Sequence, residues 1–313
     1  MLRLAIASLA ASLAFAAPAA ADDTELTVLL DWYMNPDHAP LVIAGEKGFF
    51  ADEGLKVELI APSDPSAPPR LVAAGQGDIA ITYQPNLYQQ IEEGLPLTRI
   101  GTLVATPLNT LVVLEDGPIE TLEDLKGKTV GFSVAGFEDA LLAAMLDSVG
   151  MSLDDVTLVN VNFSLSPALL SRQVDAVIGA YRNFELTQLK LEGAGGRAFY
   201  PEEHGVPAYD ELIFVAKNDR LAEPGMAAFM RAIERAVTWQ TNHPEEALAV
   251  FLKAEPDLDD ELNREAFADT LRRFALRPSA LDTGRYVRFG EFMKAQGLVK
   301  TTAPVESFAV ELQ

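Results

Sequence analysis

Short apolar runs alternating with helical patterns organise this chain. Residues 26–30, 56–60, 79–83, 98–104, 129–133, 156–161 and 176–180 read as strands. Between them, 66–75, 85–94, 137–149 and 184–193 read as helices, with glycine at or just past their ends. Strands alternating with helices imply parallel sheets built of βαβ units. From Pro224 onward the pattern turns almost wholly helical, in 225–241, 244–253 and 259–274, with starts marked by Pro or Asp.

The first strand runs into Asp31-Trp32-Tyr33-Met34-Asn35-Pro36-Asp37-His38, a loop of two large aromatics and several polar groups. Pro36 and Pro40 stop the strand, and 39–50 reads as an amphipathic helix ended by Gly48. The carboxyl end of a strand at a helix entry is where open α/β sheets bind ligands. Trp32 offers a flat apolar face and Asn35 hydrogen-bonding groups that can orient a polar ring. A core anchor at Trp32 beside an ordinary Asn-Pro-Asp turn fits the same residues, and this stretch alone does not choose. Asp37 and His38, beside the helix start, read as capping and loop-shaping groups.

An internal echo adds a second clue. Gln76-Gly77-Asp78-Ile79-Ala80-Ile81-Thr82-Tyr83-Gln84-Pro85-Asn86 parallels Gln173-Val174-Asp175-Ala176-Val177-Ile178-Gly179-Ala180-Tyr181-Arg182-Asn183, with one residue extra or missing before the tyrosine. Related units in two lobes would each offer an aromatic, Tyr83 and Tyr181, to a shared crevice. The apolar runs 109–114 and 211–217 read as the two crossings of a hinge. The expected architecture is α/β and two-lobed, a clamshell with lobe 1 at 22–110 and 213–313, lobe 2 at 111–212, and a helical C-terminal segment.

Composition narrows the setting. Residues 1–21 carry Arg3, an apolar stretch and then Pro18-Ala19-Ala20-Ala21, the pattern of a secretory signal cleaved after Ala21. The chain holds no cysteine, so neither a disulfide nor a cysteine-linked lipid anchor is expected, and the periplasm is the natural compartment. A net charge of −22 spread along 313 residues disfavours nucleic acid and anionic membranes as partners.

Catalytic and metal chemistry find little support. There is no G-x-S-x-G elbow, no H-E-x-x-H, and His38, His204 and His243 lie in unrelated contexts. No metal or cofactor is expected. The loop Gly131–Phe137 follows a strand and opens a helix, so its amides read equally as a donor site for an oxyanion or carbonyl, or as a plain tight turn. Tyr181-Arg182-Asn183-Phe184-Glu185 places a phenol, an amide and a carboxylate at a strand mouth; the helix dipole favours Glu185 there whatever else it does. Aromatics that sandwich a flat ring, beside a carboxylate that accepts amino N–H groups, suit an aminopyrimidine.

These residues, with Glu46-Lys47-Gly48-Phe49-Phe50, Gly54-Leu55 and Gly77-Asp78-Ile79, resemble the thiamine-pyrimidine branch of the type II periplasmic binding proteins. That branch serves ABC importers and shares its fold with the eukaryotic thiamine pyrimidine synthase. The resemblance covers roughly residues 25–217 well. It implies a monomer that hands a pyrimidine precursor, such as N-formyl-4-amino-5-aminomethyl-2-methylpyrimidine, to inner-membrane permease subunits coupled to a cytoplasmic ATPase. By similarity Trp32, Tyr83 and Tyr181 stack on or line the pocket, Asn35 and Asn183 donate and accept, and Glu185 binds the amino edge. Gln84, Asn109, Gly136 and Phe137 complete the candidate contacts. The synthase uses a lysine, a histidine four residues later and a cysteine-rich motif; the aligned positions here are Tyr83 and Leu87, and cysteine is absent. A binder rather than an enzyme is therefore expected. The alternatives are a binder of riboflavin or of a sulfonate, for which an inward-facing Arg182 would argue, and a pyrimidine-processing enzyme on the same fold.

Overall fold

The computed structural model describes residues 23–312, and the expected export signal lies outside the described residues. Ten strands run along the chain: Thr24–Leu29 (β1), Leu55–Ile60 (β2), Ile79–Thr82 (β3), Leu97–Val104 (β4), Asn109–Leu114 (β5), Thr129–Phe132 (β6), Thr157–Asn160 (β7), Ala176–Tyr181 (β8), Gly196–Phe199 (β9) and Leu212–Lys217 (β10). They form two five-stranded sheets of matching order, β2-β1-β3-β10-β4 and β7-β6-β8-β5-β9. The molecule is thus a two-lobed α/β clamshell.

The sheets are mixed rather than parallel. β2, β1 and β3 pair in parallel, as do β7, β6 and β8, whereas β10 and β5 lie antiparallel to their neighbours. The exceptions are the strands that arrive from the opposite lobe, which need no crossover helix and enter the sheet antiparallel. The runs expected to be hinge crossings are these same two strands. They are apolar because nearly every residue is buried inside a sheet. The chain itself crosses in the links 105–108 and 200–211. Glu211 ties the links together: its Oε2 accepts the N–H of Leu108 at 2.5 Å and of Asn109 at 3.0 Å, and the Tyr209 hydroxyl at 3.1 Å.

The internal echo has a structural counterpart. β3 and β8 hold the same central place in their sheets. Asp78 Oδ2 accepts the Thr27 N–H at 2.6 Å, and Asp175 Oδ2 accepts the Thr129 N–H at 2.9 Å, so each Gln-x-Asp turn clips its strand to the parallel neighbour in its sheet, β1 for β3 and β6 for β8. Beyond them, Tyr83 and Tyr181 emerge at corresponding strand ends.

The helix after the first loop is buried almost throughout rather than amphipathic: Ala39–Glu46 has Ala39 to Ala44 all buried, and Gly48, at φ +73°, separates it from Phe49–Asp52. Alternation of polar and apolar positions did not announce β9 or the helix Thr283–Ala295. β9 is half-buried along its whole length, so it shows no period of two.

The C-terminal segment is fastened to the first sheet. Phe308 to Val310 runs alongside Arg99 of β4, with main-chain bonds from Arg99 to Phe308 at 2.8 Å and from Val310 to Arg99 at 3.0 Å. The fully buried Arg99 side chain donates to the carbonyls of Pro278, Ser279, Ala280 and Val310 and to Thr102 Oγ1. Arg99→Met leaves five acceptors without their donor and should lower stability by about 3 kcal/mol, a fall of roughly 5–10 °C in melting temperature for a protein of this size. A wild-type melting temperature in that variant would show that the main-chain pairing alone holds the tail.

Candidate functional site

The loop after β1 folds on itself. The Asn35 side chain accepts the Asp37 N–H at 2.8 Å and donates to the Tyr33 carbonyl at 3.0 Å. His38, fully buried, accepts the Asn35 N–H on Nδ1 at 3.3 Å, which leaves Nε2–H to donate to Asp31 Oδ1 at 2.9 Å. Asp31 Oδ2 accepts the Tyr83 hydroxyl at 3.0 Å. Asp31 therefore joins the first loop to the end of β3, and Trp32 is left projecting toward the second lobe.

From the second lobe come Glu138, Leu165, Gly179, Tyr181, Phe184 and Glu185. The Glu185 carboxylate reaches back to accept the Tyr181 N–H at 2.6 Å. Glu138 turns back in the same way, its Oε2 accepting the Ser133 N–H at 2.5 Å. That carboxylate lies flat on Gly179, where φ is +103° and an added Cβ would sit 2.3 Å from Glu138 Oε1. Only glycine leaves that space. Phe163 crosses the mouth and meets Trp32 at 4.6 Å and Tyr33 at 4.3 Å between ring centroids.

The cavity between the lobes is lined by Asp31, Trp32, Asn35, Asp37, Tyr83, Glu138, Leu165, Gly179, Tyr181, Phe184 and Glu185, with about 420 Å³ of empty space including its open mouth. Four of these are carboxylates, and none is lysine or arginine. Burial pushes Asp37 up to about 6. It also raises Glu138 to about 8 and Glu185 to about 8, despite the backbone N–H groups that oppose it. The Tyr181 hydroxyl is buried with no hydrogen-bond partner among the described residues.

Of the residues expected from sequence, Trp32, Asn35, Tyr83, Tyr181 and Glu185 line this cavity; Gln84, Asn109, Gly136, Phe137 and Asn183 do not. Gln84 is fully buried at the link, donating to Tyr88 and accepting the Asp210 N–H. Asn109 accepts the Gly179 N–H at 3.2 Å inside the second sheet. Gly136, at φ +83°, shapes the turn and leaves room for the Gln89 side chain. Phe137 stacks on Tyr83 at 4.4 Å and 10° between planes, so it supports the ring from behind. Asn183 is spent on Asp37 and Thr270. The glycine loop offers no oxyanion site, because Glu138 already occupies the Ser133 amide.

Sequence reasoning missed Asp31, Glu138, Leu165, Gly179 and Phe184, and cast Asp37 as a loop former although its carboxylate lines the cavity. Asp31 opened the quoted loop, and Glu138 follows Phe137 directly, so both were within reach; nothing in the sequence pointed to Leu165. Arg182 turns away from the cavity. It pairs with Glu202 at 2.5 Å, donates to the carbonyls of Leu108 and Asn109, and lies over the Tyr200 ring.

Comparison with known proteins places this geometry. A family model described as NMT1/THI5 like matches residues 35–247. The chain is 51% identical over 290 residues to a putative thiamine biosynthesis protein of Haemophilus influenzae, covering 92% of each chain. It is 35% identical over 257 residues to the formylaminopyrimidine-binding protein of Halalkalibacterium halodurans, covering 80% of this chain and 78% of that one. Among solved structures, an alkanesulfonate-binding protein from Xanthomonas axonopodis pv. citri superposes with a TM-score of 0.72 at 17% identity, over 92% of this chain and 99% of that one, a likeness of fold. The chain belongs to the NMT1/THI5-like family and carries the fold of the periplasmic binding proteins.

Proposed function

We propose that this substrate-binding protein captures an amino-substituted pyrimidine of the thiamine-precursor class, such as N-formyl-4-amino-5-aminomethyl-2-methylpyrimidine, and delivers it to an ABC permease. One observation carries the reading: rings from both lobes, Trp32, Tyr83 and Tyr181, border a cavity whose polar lining is carboxylate-rich and free of lysine and arginine. A ring stacked on an aromatic gains roughly 1–3 kcal/mol. A carboxyl group that keeps its proton near neutral pH accepts from an exocyclic amino group and donates to the adjacent ring nitrogen, a two-point match to an aminopyrimidine edge. The relative that binds formylaminopyrimidine supports the same ligand class.

A sulfonate would meet repulsion from Asp37, raised only to about 6 and so ionised at neutral pH, and no lysine or arginine, since Arg182 is engaged at the link. Riboflavin remains the alternative neutral ligand, and an enzyme on the same fold the alternative activity. We further propose export to the periplasm, a monomer, and lobes at 22–110 with 213–313 and at 111–212. Sheet membership supports that division to within a few residues, with β5 starting at Asn109 and β10 at Leu212.

Two outcomes test the reading. In thermal-shift titration the formylated aminopyrimidine, at about a hundred times its Kd, should stabilise the protein by about 2.7 kcal/mol, and mass spectrometry should return it unchanged. Glu185→Ala should weaken it at least tenfold, equivalent to about 1.4 kcal/mol. Stabilisation by riboflavin or an alkanesulfonate but by no pyrimidine would sink the assignment, and a converted pyrimidine would make the protein an enzyme.

The raised carboxyl groups also set a pH dependence. Glu138 and Glu185 hold protons in the folded protein up to about pH 8, whereas unfolded glutamates lose theirs near their ordinary value of 4.5. The folded state therefore binds more protons in that window, and its stability falls as pH rises through it. Melting temperature of the ligand-free protein should drop between pH 5.5 and 8.5, more steeply than in Glu138→Gln or Glu185→Gln. Parallel curves for the variants and wild type would show that these groups ionise without cost.

A further inference from the structure

Asp37 stands where three parts of the molecule meet. It follows β1 in the first lobe, faces Asn183 of the second, and touches Thr270 at the end of the helix Glu261–Thr270. That helix packs against the 36–38 turn on one side and the second lobe's helix Glu185–Leu191 on the other, so it spans the cleft. Asp37 Oδ1 accepts from Asn183 Nδ2 at 2.7 Å and from the Thr270 hydroxyl at 2.8 Å, while Asn183 Nδ2 also lies 2.7 Å from Thr270 Oγ1. Its Oδ2 has no hydrogen bond among the described residues, and Asp37 borders the cavity. The two oxygens of one carboxylate thus serve different purposes: one is committed to a clasp across the lobes, the other is left for the ligand space.

We propose that Asp37 couples ligand capture to lobe closure, with Thr270 and Asn183 as the positioning residues that read its orientation. This rests on the cavity being the ligand site. A ligand N–H on Oδ2 fixes the carboxylate in the orientation the clasp needs, and the clasp forms only when the lobes meet. By linkage, whatever favours the closed form raises ligand affinity, and saturating ligand raises the closed-to-open ratio by the ratio of its affinities for the two forms. Thr270 does not line the cavity. Its removal leaves direct contacts such as Glu185 in place, and the closed fraction measured without ligand separates an effect on closure from one on the Asp37 orientation at the cavity. The C-terminal helical segment then works as a strap across the cleft as well as packing on lobe 1.

The absence of cysteine makes the test clean. Glu58→Cys and Asp154→Cys, at exposed positions on opposite lobes, carry a fluorophore pair that reports lobe separation by energy transfer. Wild type, Thr270→Val and Thr270→Ser are compared with and without N-formyl-4-amino-5-aminomethyl-2-methylpyrimidine, with affinity from calorimetry. Thr270→Val should lower the closed fraction in both states and weaken binding about fivefold, and Thr270→Ser should restore both. Should the valine variant not fold, Asn183→Ala removes the clasp from the other lobe and serves the same comparison. Equal closed fractions and affinities in Thr270→Val and wild type would overturn the coupling. A wild type that ignores the pyrimidine refutes the ligand reading instead, and the clasp still stands or falls on the ligand-free closed fractions.

Discussion

The structure depends on how it holds four carboxyl groups between two lobes without a lysine or arginine lining the site. A bare carboxylate in a low-dielectric interior costs several kcal/mol. Each acidic group here is met by a different device. Asp31 takes the His38 imidazole and the Tyr83 hydroxyl, Glu138 and Glu185 curl back onto the amides of Ser133 and Tyr181, and Asp37 is gripped by Asn183 and Thr270. Even so, burial holds three of the four well above their ordinary range. Under the proposed function, a ligand rich in N–H donors would recover part of that free energy. The first loop, the Gly179 bend and the Gly136 turn all follow from placing these groups.

The same device recurs at the links, where Glu211 is buried and raised to about 7 while it accepts two backbone amides. Arg182 binds the carbonyls of Leu108 and Asn109 and the Glu202 carboxylate rather than the cavity. Spending the arginine on the link leaves the ligand space acidic. The two lobes contribute alike because β3 and β8 are equivalent strands, each clipped by an aspartate and each ending in a tyrosine.

How much of this was legible in the sequence follows from what local pattern can carry. Strand ends and helix starts were readable, so residues placed there, Trp32, Tyr83, Tyr181 and Glu185, were found from aromatic and acidic residues at strand mouths. Phe137 and Asn183 were found at the same ends but face their neighbours instead, one stacking on Tyr83 and the other bonding Asp37; direction off the end is set by packing that no local pattern encodes. Glu138 was hidden for the opposite reason. A glutamate in the first turn of a helix is ordinary, and its entry into the cavity depends on Gly179, forty-one residues later in the chain, having no side chain. The expectation of parallel sheets failed at β5 and β10 because the exchange of strands between lobes is a property of the whole path.

Likeness of fold does not carry likeness of ligand. An alkanesulfonate-binding protein shares the lobes and their topology at 17% identity, so the clamshell itself does not select a charge. Under the proposed function, ligand choice would rest on a few side chains at strand ends rather than on the sheets that carry them. In this chain those positions are filled by acids whose protons or amides can be traded for ligand N–H groups, and the one arginine in reach is tied to the link by four hydrogen bonds. Releasing the Arg182 side chain would leave Glu202 and the Asn109 carbonyl without its guanidinium as well as redirect the charge. The acidic character of the cleft is thus protected by the same contacts that fasten the lobes together.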